Sequence, residues 1–213
     1  MDLGEEIRTE LIRECSKRLG DEFEDSIYDE CLKAIKETDL SNIANLESTM
    51  RRFLYVWGRM GRVLGRYDYR NWESKLAKQI ELDGKELEEF RTKDLLYVNL
   101  HEYEPVIKKC YGSFKEAVGA IAAAKTLHLI CPSFFPLWDN AIANAVRKER
   151  ADKKNGEFSP ADYYSFMVDM QRFLKEYDQV LSALASKYKR GKLRILDEFL
   201  WWMAHRPLSL FLH

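Results

Sequence analysis

Asp139 is the residue best placed for chemistry. It follows Phe134-Phe135-Pro136-Leu137-Trp138 and stands at the mouth of a helix expected over 140–150. A carboxylate there can stabilise a developing cation or orient an attacking water. The same side chain can instead only cap the helix that follows it. On the preceding apolar helix, Lys125 suits a phosphate contact or a surface charge, and His128 a pocket wall or a hydrogen-bonded core position. Trp138 can stack on a base or fill the core. A second set lies earlier in the chain. Arg52, Arg59, Arg62 and Arg66 recur at spacings of 7, 3 and 4, with Tyr55, Tyr67 and Tyr69 among and beside them. Guanidinium groups interleaved with phenol rings suit a nucleic-acid backbone with stacked bases. They equally suit a solvated face paired with acidic helices.

Other chemistries find less support. His101, His128, His205 and His213 show neither HxH nor HExxH spacing, so no metal is expected. Cys15, Cys31, Cys110 and Cys131 fit neither a zinc pair nor an iron–sulfur run. They read as reduced thiols, which points to a cytoplasmic location. No cofactor is implied. No apolar run reaches ~18 residues, and the start is acidic without an apolar leader, so neither a membrane partner nor a secretory signal is expected.

The net charge of −1 conceals an asymmetry. Residues 1–49 carry 14 acids and 6 bases, whereas 51–72 carry six arginines and one aspartate. Residues 105–213 carry 17 bases and 11 acids. A near-neutral total therefore coexists with a locally basic face.

The elements that must position these residues read as helices throughout. Apolar residues recur about four apart over 3–19 and again over 23–35. Ser41 reads as an N-cap. Residues 48–66 predict one helix with an apolar stripe (Met50, Phe53, Leu54, Trp57, Leu64) and an arginine stripe. Gly58, Gly61 and Gly65 within it suggest that another backbone passes close by. Two charged helices over 73–104 break near Asp83-Gly84. Ser159-Pro160-Ala161-Asp162 reads as a capped helix start. Trp201-Trp202 reads as a core or dimer seal. The expected fold is all-α, with eight to ten helices in a single domain over 1–213, divisible into lobes at 1–104 and 105–213.

The central segment resembles the helix-hairpin-helix DNA glycosylases. In that superfamily the hairpin reads roughly Gly-Val-Gly-x-Lys-x-Ala, and an Asp follows the Lys position by 18 residues. Here Ala117-Val118-Gly119-Ala120-Ile121-Ala122-Ala123 takes the hairpin place, within a degenerate helix-hairpin-helix over 106–130. Pro136-Leu137-Trp138-Asp139 takes the Asp turn, and Asp139 lies 18 residues after Ile121. The likeness covers about 30 residues. Ala117 replaces the first hairpin glycine. Ile121 stands where strand-cleaving members carry their Schiff-base lysine, so lyase activity is not implied. The chain is also similar to a group of prokaryotic proteins of unassigned activity that share Lys125-Thr126-Leu127-His128-Leu129 and Phe135-Pro136-Leu137-Trp138-Asp139.

The resemblance implies a DNA-binding protein. Gly119, Ala120 and Lys125 would face phosphate, Arg59, Arg62 and Arg66 would add charge, and Trp138 and His128 would line a pocket with Asp139. If catalytic, it would be a monofunctional N-glycosylase with Asp139 at its electrostatic centre. The alternative is a non-catalytic helical scaffold whose acidic and basic faces serve a protein partner or a homo-oligomer.

Overall fold

The centre of the molecule is a helix that begins just after Asn99 and runs until Gly119 stops it. A computed structural model describes residues 5–22, 26–40, 43–66, 69–138, 142 and 158–205. Among them are eleven α-helices and a π-helical turn, and no strand. They are α1 (Glu5–Glu22), α2 (Ser26–Glu37), α3 (Ile43–Arg52), the π turn (Phe53–Trp57), α4 (Gly61–Leu64), α5 (Trp72–Leu82) and α6 (Gly84–Arg91). The central α7 (Leu100–Val118) and α8 (Ala120–Ile130) follow, then α9 (Pro160–Glu176), α10 (Asp178–Tyr188) and α11 (Lys192–His205).

α7 turns Ile107, Cys110, Tyr111, Phe114 and Val118 fully inward. Their three- and four-residue spacing makes one apolar stripe. α5, α8 and α9 pack around it. α8 is apolar on nearly every side and is correspondingly buried, from Ala122 to Ile130, with only Lys125 half out. α1 closes the far side against α10 and α11. Residues of 1–104 (Tyr28, Phe53, Leu87, Phe90) and of 105–213 (Phe114, Leu127, Phe134, Leu174) share one continuous hydrophobic core. Trp202 lies in a small satellite cluster with Cys15, while Trp201 is exposed. No described helix is long and apolar enough to cross a membrane.

Local signals decide several boundaries. Ser159 Oγ accepts from the Asp162 amide at 3.1 Å, and the Asp162 carboxylate accepts from the Ser159 amide at 3.1 Å. This reciprocal cap, with Pro160 at the first helical position, starts α9 as expected. The break at Asp83 is also present. Ser41 lies outside the described residues.

The single helix expected over 48–66 is not formed. After α3 the backbone widens into a π turn, stops at Gly58 and restarts as the short α4. Gly58 and Gly65 are crowded by their own chain rather than by a passing backbone, whereas Gly61 faces only the Tyr55 ring. A Cβ on Gly58 would lie 2.8 Å from the carbonyl oxygen of Leu54, and one on Gly65 3.0 Å from that of Gly61. They let the chain double back within a few residues, where a Cβ would collide.

Candidate nucleic-acid interface

The doubling back at Gly58 builds a surface. Residues in and after the π turn and at the start of α5 line an open groove of about 420 Å³, among them Tyr55, Arg66, Tyr69, Arg70, Asn71 and Trp72. Trp72 is buried and forms the floor. The Tyr55 ring stacks on it with centroids 6.0 Å apart and planes 27° apart. Tyr55 keeps 37% of its surface exposed. The Arg51 guanidinium lies 5.8 Å from the Tyr55 centroid.

The arginine stripe divides in two. Arg52 bonds Glu30 of the acidic α2 at 2.5 Å. Arg59, Arg62 and Arg66 are exposed and make no ion pair among the described residues. Arg59 also holds φ at 51°, a left-handed conformation in which the Cβ crowds the following carbonyl, at a cost of about 1–2 kcal/mol.

Gly119 adjoins this groove. It alone links α7 to α8, at φ 82° and ψ 161°, a region open in practice only to glycine. A Cβ there would lie 2.7 Å from the Tyr69 hydroxyl. The groove wall and the helix–helix turn are therefore in direct contact. The Gly119 amide donates to the Lys115 carbonyl at 2.8 Å, so an amide offered to an anion here must come from the first turn of α8, beginning at Ala120. Ala120 is half-buried, and its carbonyl accepts from the Tyr111 hydroxyl at 3.3 Å.

Lys125, half-buried on α8, turns its ammonium onto the neighbouring backbone. Its ammonium donates to the Gly58 carbonyl at 2.9 Å and lies 5.5 Å from the centroid of a Trp57 ring. It thereby ties α8 to the turn that carries Arg59.

His128 and Trp138 are core residues. His128 is fully buried. Its Nδ1–H donates to the Phe135 carbonyl and its Nε2 accepts from the Tyr28 hydroxyl, both at 2.8 Å. A carbonyl can only accept, so the neutral Nδ1–H tautomer follows. Burial, with help from the Arg194 charge and against the pull of the Phe135 carbonyl, lowers its pKa from 6.5 to about 3. Trp138 meets Phe158 and Phe166 edge-on at 5.6 and 4.6 Å. Asp139 lies outside the described residues.

Sequence reasoning missed a buried polar group beside His128. The Arg194 guanidinium lies 4.7 Å from the Tyr28 ring centroid and 5.3 Å from that of Trp57. Glu198 receives Arg190 at 2.5 Å and Arg194 at 3.2 Å. Asp197 accepts from the Leu137 amide at 3.2 Å, and its other oxygen is 3.9 Å from His128 Nδ1. The available signal was charge inside an apolar run: Arg190, Arg194 and Glu198 fall four apart among Leu193, Ile195 and Leu196. The four cysteines are free and buried. Burial pushes the Cys110 thiol up to about 12, which makes it a poor nucleophile at neutral pH.

The arrangement thus presents one solvent-facing basic and aromatic surface, backed by a turn of restricted geometry, and one sealed polar cluster. Compared with known proteins, the chain matches no family model, no curated protein and no solved structure.

Proposed function

We propose that this is a nucleic-acid-binding protein of helix-hairpin-helix glycosylase type, and that its phosphate contacts run along Arg59, Arg62 and Arg66 toward the Gly119 turn. The observation that carries this reading is the Tyr69–Gly119 contact, which brings the basic segment and the helix–helix turn into one surface. Arg59, Arg62 and Arg66, exposed and without an ion pair among the described residues, support it, because phosphate attraction supplies most sequence-independent binding. Ala120 and the first turn of α8 would add amides to a phosphate. Lys125, which donates to the Gly58 carbonyl, would support the turn that carries Arg59. Asp139 would serve as the electrostatic centre of monofunctional N-glycosidic hydrolysis, with Ile121 in place of a lyase amine.

A second reading is a non-catalytic helical scaffold. The internal engagement of Lys125, His128 and Trp138 favours it.

Binding of duplex DNA bearing an abasic-site analogue, against undamaged duplex at two salt concentrations, separates the two. The glycosylase-type reading expects tighter, salt-dependent binding to the abasic duplex that survives Asp139→Asn. No binding at low salt would remove the nucleic-acid reading and leave the scaffold.

A further inference from the structure

We infer that the groove between Tyr55 and Asn71 is a subsite for an unpaired nucleotide, with the base against Tyr55 and the phosphate held by Arg66. The inference rests on the nucleic-acid reading above and narrows it to one kind of ligand.

Three observations carry it. The first is the lining. A duplex offers phosphates outward and hides the faces of its bases, so arginines alone would serve it. This groove adds Tyr55 and Tyr69 to Arg66 and Arg70. Aromatic faces beside guanidinium groups suit bases that have left the stack. The volume of about 420 Å³ falls in the range of small-ligand sites.

The second is order in advance of binding. Tyr55 rests on buried Trp72, with the ring centroids 6.0 Å apart. A ring already held at rest loses little freedom when a base covers it.

The third is backbone geometry. Only three non-glycine residues among those described have positive φ, and two of them, Arg59 at 51° and Asn71 at 60°, bracket this segment. A π turn lies immediately before it. Such departures cluster at ligand sites, where binding offsets their cost. Glu73 also lines the groove and opposes an anion at its end.

Fluorescence anisotropy tests this with a labelled single-stranded oligothymidylate, its duplex with oligoadenylate, and thymidine monophosphate as competitor. The single strand should bind roughly tenfold tighter than the duplex, given the usual contribution of one stacked base. Tyr55→Leu should remove that preference and leave duplex binding unchanged, Tyr55→Phe should keep it, and Arg66→Gln should weaken both ligands. Competition by the monophosphate would assign the subsite to a free nucleotide. Its failure to compete would assign the subsite to a strand, and both results uphold it when Tyr55→Leu abolishes the binding. Duplex binding that depends on Arg66, with no single-strand preference or none sensitive to Tyr55, would overturn the subsite and leave the nucleic-acid reading standing. No binding of either polymer or of the monophosphate at low salt would overturn both.

Discussion

Arg194 is 8% exposed, with its guanidinium against the rings of Tyr28 and Trp57 and its charge paired with Glu198. Arg62 and Arg66 stand in solvent without an ion pair among the described residues. The same side chain therefore has two uses about one stretch of backbone, because Trp57 belongs to the π turn from which the groove segment departs. A buried guanidinium must be paired, since desolvation costs more than any unpartnered contact returns. A solvated one loses nothing by waiting for a ligand. The sealed cluster holds the frame, and the open arginines are what the frame presents.

The largest effect should come from breaking the sealed side. Glu198→Ala leaves two buried or half-buried guanidinium groups without their carboxylate, and should cost about 3–5 kcal/mol in urea unfolding. Loss below about 1 kcal/mol would mean that the cluster is wet and the contrast with the groove is false.

Acid should act on the same side. The His128 pKa is depressed on folding, so its neutral form contributes stability that is complete above 6.5 and is lost as pH falls toward about 3. Within that window the unfolded chain takes up a proton that the folded core refuses, at about 1.4 kcal/mol for each pH unit. Unfolding measured from pH 7 to pH 4 should show this slope in wild type, and His128→Leu should lack that share of it.

Gly119→Ala joins the two regions and should be intermediate. It forces a Cβ into a glycine-only conformation and against the Tyr69 hydroxyl, at a cost of about 1–3 kcal/mol. On the proposed nucleic-acid reading, binding should fall with it when measured well below the unfolding midpoint. Stability lost without any change in binding would detach the turn from the surface.

The smallest stability effects belong to the open side. Arg62→Gln should stay within about 0.5 kcal/mol of wild type. It should still lower the slope of log affinity against log salt by about 0.9, the share of one phosphate. A large stability loss would show that this arginine, too, has a structural partner.

Much of this architecture is written locally. Ser159, Pro160 and Asp162 cap α9 by contacts within one turn, and the apolar stripe of α7 follows from helical spacing alone. The arginine stripe was legible as a basic surface, but its floor was not. Trp72 and Tyr55 meet only because the chain doubles back at Gly58, and the same fold-back broke the helix expected there. A glycine cluster reads identically in sequence whether the backbone it admits is a neighbour's or its own.

The helical class, the cap of α9 and the segregation of charge follow from the chain alone, because these depend on residues within a few positions of one another. Tertiary structure alone decided that Lys125 binds the Gly58 carbonyl, that Tyr69 covers Gly119 and that His128 stays neutral between Tyr28 and Phe135. Of these pairs, Lys125 with Gly58 and Tyr28 with His128 lie 67 and 100 residues apart in the chain. A side chain's charge state and availability depend on what burial brings beside it, and no local pattern encodes that.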